Sequence, residues 1–161
     1  MKKYLILACS ALVFATSCLI GGGSAGSSST TYNGTLTVSD IDTGEVTYVE
    51  DKASIDVWIP NIVEPKFDFI FNKIKFDKAM PVQLNLEIPG VPFTSTISDD
   101  ETTINYIFKG ENIIPTAGGT PYERFKVSII QGCIGKVVDV TFEVPEKNKR
   151  VYFTTAKEEA E

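Results

Sequence analysis

The stretch VVDVTFEV, Val137 to Val144, sets Val138, Val140, Phe142 and Val144 against Asp139, Thr141 and Glu143. Successive side chains of an extended chain point to opposite faces, so a strict period of two marks a strand with one dry face and one wet face. The same rhythm recurs outward from it. VQLNLEI places Val82, Leu84, Leu86 and Ile88 on one face, and RFKVSII places Phe125, Val127 and Ile129 on one face. SIDVWI and FDFIF repeat the pattern through Ile55, Val57 and Ile59 and through Phe67, Phe69 and Phe71. No window of comparable length carries the 3.6-residue period of a helix.

Turn residues divide these runs at short intervals: Asp42-Thr43-Gly44, Pro89-Gly90, Ser98-Asp99-Asp100, Lys109-Gly110, Gly118-Gly119 and Pro145 to Asn148. The expected strands are 32–38, 45–50, 54–59, 66–77, 82–88, 92–97, 102–108, 123–131 and 136–144, with 150–155 as a tenth. Phe67, Phe69 and Phe71 are odd-numbered whereas Ile74 and Phe76 are even, so the inward face slips near Asn72-Lys73 and predicts a bulge. Many short antiparallel strands with short connections predict an all-β domain, an up-and-down meander closed into a single barrel of about 8–10 strands.

The N-terminus reads differently. Met1-Lys2-Lys3 and an apolar run from Tyr4 to Ala15, broken only by Cys9 and Ser10, have the form of a secretory signal peptide over 1–17. The run is shorter than the about 20 apolar residues of a membrane-spanning helix. Ala15-Thr16-Ser17-Cys18 resembles a bacterial lipobox, making Cys18 the expected lipidation site; ordinary cleavage after Ser17 satisfies the same small-residue rule. Residues 18–31 form the expected lipidated terminus and Gly/Ser spacer. A coil of that composition has a reach of roughly 20 Å. The barrel is expected over 32–155, with an acidic tail at 156–161.

Charge and residue inventory narrow the chemistry. The chain has 15 basic and 21 acidic residues, and loss of Lys2 and Lys3 with the signal leaves 13 against 21, a net of about −8. Such a chain is not built to hold phosphate backbones, so nucleic acid is not an expected partner. There is no histidine, which removes Ser-His-Asp and Cys-His catalysis and the commonest transition-metal ligand. With Cys18 acylated, Cys133 is the one thiol left, expected to be a buried, inert side chain. No metal site, cofactor or catalytic residue is expected, and the chain does not read as an enzyme. Asp56, Asp68, Glu87, Asp139 and Glu143 alternate with apolar residues as on a solvated face. Asp99-Asp100-Glu101 has no EF-hand spacing and reads as a polar turn. Trp58 shares the wet face of its strand with Ser54 and Asp56. It is either a ligand or partner contact or a ring packed under a loop.

FNKIKFDKAMPVQLNLEIPGV (71–91) and GENIIPTAGGTPYERFKVSIIQGCIGKVVDVTFEV (110–144) resemble the calycin-like β-barrel lipoproteins of Gram-negative gut anaerobes. The elements that carry the resemblance are Lys75-Phe76, Met80-Pro81-Val82, Asn112 to Pro115, Gly118-Gly119 and an opening strand with Tyr32, Gly34 and Leu36. It spans about residues 32–144. It implies a calycin/lipocalin-like barrel held on the outer membrane by a lipid, on the periplasmic or the cell-surface side, with no known activity. Where true lipocalins carry Gly-x-Trp this chain has Gly34-Thr35-Leu36, so the resemblance carries the shape without that signature. The resulting expectation is a non-enzymatic, lipid-anchored module that binds a small apolar molecule in the barrel mouth or an outer-membrane protein. The alternatives are an assembly accessory with a packed, ligand-free barrel and a protease-inhibitor-like barrel.

Overall fold

Alternation becomes pairing in ten strands: β1 (Ser28–Asp40), β2 (Val46–Ile59), β3 (Lys66–Ile74), β4 (Leu84–Ile97), β5 (Ile104–Ile113), β6 (Thr116–Ala117), β7 (Thr120–Pro121), β8 (Val127–Ile134), β9 (Val138–Val144) and β10 (Lys149–Thr154). The structure, a computed structural model, describes residues 28–59, 63–98 and 102–156. The signal segment, Cys18, residues 18–27 of the spacer, Asp99 to Glu101 and residues 157–161 of the tail lie outside the described residues.

Eight strands close on themselves in the cyclic order β1-β2-β3-β4-β5-β8-β9-β10, every neighbour antiparallel. This is the expected all-β meander, an eight-stranded barrel of lipocalin-like shape. β6 and β7 form a side hairpin that joins β4 through Glu87 and Thr116. Its turn is Gly118-Gly119, both at positive φ (57° and 77°), where a side chain would be strained.

Several expected boundaries are corrected, two of them by bulges; the turn expected at Lys109-Gly110 lies within β5. The runs 45–50 and 54–59 are one strand, as are 82–88 and 92–97. Between them Asp51-Lys52 and Pro89-Gly90 are bulges, two residues opposite one on the neighbouring strand, so the break at 51–53 and the expected turn at Pro89-Gly90 are both absent. Gly90 takes φ 71° there and donates its N–H to an Asp68 carboxylate oxygen at 2.6 Å. The expected bulge at Asn72-Lys73 is present: Lys73 has φ 54° and donates its N–H to Asn85 Oδ1 at 2.9 Å. Bulges bend a strand and sharpen its twist, which lets long strands wrap a small barrel. A further correction is at the start of the barrel, where β1 pairs with β2 from Ser28, four residues inside the expected spacer.

The alternating apolar residues fill the interior. Val138, Val140, Phe142 and Val144 are buried, as are Ile55, Val57, Phe67, Phe69, Phe71, Leu86 and Ile88. Among the described residues no polar or charged side chain is buried. Val82 departs from the pattern: it precedes β4 and is 57 % exposed. In β8, Val127, Ile130 and Ile134 are buried while Ile129 is only partly so, because Ile129 pairs with Glu143 on the outer face. Phe125 lies in a 3-10 turn (Glu123–Phe125) ahead of the strand and packs on the core from the end.

Phe142→Ala is expected to cost about 3–5 kcal/mol, the cost of emptying an aromatic site in a filled core. Val82→Ala is expected to stay within about 0.5 kcal/mol, as surface changes do. Urea unfolding midpoints with unchanged m-values check both.

Candidate functional site

A barrel can work from its inside, its ends or its wall. The inside is taken up by rings. Phe69 and Phe108 lie 4.7 Å apart between centroids, Phe71 and Phe142 4.8 Å, and Phe67 stacks on Phe93 at 4.0 Å. Gly132 faces inward opposite Val140, and a Cβ there would press on the Asp139 carbonyl and the Phe108 ring. An inward glycine therefore makes room for the large aromatic on the neighbouring strand.

Both ends are closed by side chains. At the end where β6 and β7 lie, Phe76 packs on Phe125 at 5.0 Å, with the Lys147 ammonium 5.2 Å from the Phe125 ring centre. At the other end, the mouth, Tyr32, Ile59, Phe67, Tyr106 and Ile134 leave a space of about 20 Å³. A space of that measure has room for about one water, so it does not hold an apolar ligand. Burial, and then the neighbouring Tyr106, push the Tyr32 hydroxyl up from its ordinary range, so it stays neutral.

The wall carries the open relief. A groove of about 880 Å³ runs along β1, β2 and the chain just after β10, lined by Gly34, Thr35, Thr37, Val46, Val49 and Thr155. It lies where β1 and β2 fall out of step at the Asp51-Lys52 bulge. Val46 and Val49 are exposed in it at 55 % and 47 %. A second depression of about 510 Å³ lies over β5, β8 and β9, lined by Asn105, Cys133, Lys136, Val137 and Asp139.

Each wet-face carboxylate is held by a donor on an adjoining strand or segment. Asp56 accepts from Thr31 Oγ1 and from Asn72 Nδ2 at 3.0 Å. Glu87 accepts from Thr116 Oγ1 at 3.0 Å, Asp139 from the Tyr152 hydroxyl at 2.8 Å, and Glu143 from Arg150 Nε at 2.9 Å. With Asp68 held by Gly90, these acids lace the strands together; they do not converge on one point as a carboxylate pair must to act on a substrate. Among the described residues no group of three or more His, Cys, Asp or Glu is placed to hold a metal ion.

Of the residues singled out in the sequence, Trp58 is described and Cys18 is not. Trp58 stands on the outer wall, 39 % exposed, paired across β2–β3 with Asp68 and one residue from the end of β2 at the mouth. The expectation for Cys133 is corrected. It is a free thiol on the outer face of β8, only partly covered, because the inward positions of that strand are Ile130, Gly132 and Ile134. Partial burial, and then the Asp139 carboxylate, push the thiol above its ordinary range. Nothing in the local alternation pointed to the β1–β2 groove, since it depends on the stagger between two strands.

In comparison with known proteins, no family model matches the chain, and no curated protein or solved structure matches it either.

Because the thiolate is the reactive form, Cys133 is expected to alkylate slowly with iodoacetamide at pH 7 and faster as pH rises beyond the ordinary thiol range. Asp139→Asn, which removes the neighbouring charge, is expected to speed alkylation at fixed pH. Mass spectrometry of the time course reads both; a rate unmoved by the substitution would remove Asp139 as a cause.

Proposed function

We propose that the protein is a non-enzymatic module, lipid-anchored through Cys18, that works on a protein partner through the outer wall of a packed barrel. The observation that carries this reading is the filled interior, with about 20 Å³ left beneath the mouth while the groove on the β1–β2 wall measures about 880 Å³. Small barrels of eight strands have room for their own side chains or for one small ligand, and here the rings occupy it. Of the two partners expected for a barrel of this kind, an apolar small molecule and a protein, the wall favours the protein. Val46 and Val49 supply apolar contact there, and the flanking Thr35, Thr37, Asp51 and Lys52 supply a polar rim. An export signal, an acylated cysteine and a short spacer would hold that wall beside other proteins of the outer membrane.

Titration of the folded domain with a panel of apolar fluorescent ligands is expected to be flat, with Trp58 emission unchanged. Saturable binding abolished by Phe69→Trp, which thickens the interior further, would restore the carrier reading. Cys18→Ala in the full chain is expected to move the protein from the membrane to the soluble fraction, and unchanged retention would sink the anchor.

A further inference from the structure

The two ends of the barrel differ, and the chain enters at one of them. β1 starts at Ser28, which lines the mouth together with Tyr106 and Ile134. At that same end β4 and β5 run on past the rim as a two-stranded ribbon, ending in the facing pair Ile97 and Ile104, exposed at 67 % and 46 %. Their alternation with Phe93, Ser95, Tyr106 and Phe108 places them on the ribbon's inward side, over the mouth. Val63, in the β2–β3 connection, and Val137, in the β8–β9 turn, are exposed there as well. The far end exposes Val46, Val82, Ile114 and Tyr122, but it is studded with charges of both signs, among them Asp42, Lys78, Arg124, Glu146 and Lys147.

We propose that the mouth end seats on the lipid bilayer, with Ile97, Ile104 and Val137 entering its interfacial layer and the β1–β2 groove left facing sideways. The inference rests on the reading of Cys18 as the lipid attachment point. Nine residues, Leu19 to Ser27, separate that cysteine from Ser28. A Gly/Ser-rich coil of that length reaches roughly 17 Å on average, shorter than the roughly 20 Å expected of a spacer ending at Thr31. The tether therefore holds the mouth, and not the charged end, within reach of the headgroups. Apolar side chains in the interface add affinity in proportion to the area they bury. The acids Asp99, Asp100 and Glu101, which lie between Ile97 and Ile104 in the sequence, make a zwitterionic surface the favoured one.

Trp58, the chain's single tryptophan, stands at this end and reports the contact directly. The full chain, processed and acylated in a bacterial host, is reconstituted in phosphatidylcholine vesicles with or without brominated acyl chains. Loss of Trp58 emission in the brominated vesicles is expected. Ile97→Asp with Ile104→Asp is expected to recover that emission while the protein still floats with the vesicles. Both isoleucines are exposed, so an unchanged unfolding midpoint confirms that the variant is folded. Flotation with unquenched Trp58 overturns the inference alone. Failure to float overturns the anchor, and the inference with it.

Discussion

Closing eight strands into a barrel this narrow demands that the strands bend, and every other feature of the molecule follows from how that bend is made. Long strands with a single straight register would leave their ends splayed. Here two-against-one bulges at Asp51-Lys52, Asn72-Lys73 and Pro89-Gly90, with a further register slip at Thr47, turn the first half of the meander around the core. Their extra residues point backbone N–H groups away from the ladder, and side chains on adjoining strands take two of them: Asp68 for Gly90 and Asn85 for Lys73. A bend without such acceptors would leave strand donors unpaired, each a loss of about 1–3 kcal/mol if buried.

Once the wall curves this tightly, the inside has little room to spare. Seven phenylalanine rings, Phe67, Phe69, Phe71, Phe76, Phe108, Phe142 and Phe153, are buried there, and Gly34 and Gly132 sit where a neighbouring ring needs the space. Among the described residues no polar side chain is buried, and cross-strand bonds from Tyr152, Thr116 and Arg150 hold acids in place on the wall. Exposed cross-strand pairs contribute little apiece, roughly 0.2–1 kcal/mol, and serve to keep register around the whole circumference. Register matters because a one-residue slip would turn every inward ring to solvent.

The barrel was legible in the alternation, and the phase slip between Phe71 and Ile74 located one bulge in advance. The bulges at Pro89-Gly90 and Asp51-Lys52 were not, since a turn and a bulge call for the same local residues. Which of the two forms is decided by the neighbouring strand, which the local sequence does not contain. The orientation of Ile129 and Cys133 was lost for a related reason: β8 buries Val127 and then Ile130, an odd and then an even position, so parity counted from Phe125 runs out between them. The filled interior was beyond sequence reasoning altogether, because free volume depends on how rings from different strands interlock. Cys18 remains an argument from sequence, and the β1–β2 groove an observation of structure.

The early start of β1 has a mechanical consequence. From Thr35 onward β1 is held on both sides, by β2 and β10, whereas among the described residues Ser28 to Gly34 pairs with β2 alone. A pull transmitted along the chain from its N-terminal side loads that seven-residue strip in shear, parallel to β2, so its hydrogen bonds share the force instead of opening one after another. A sideways pull peels the same strip from Ser28 and stops where the second partner begins. The strip can lengthen under load and zip back, a shock absorber between whatever holds the chain and a barrel that stays shut.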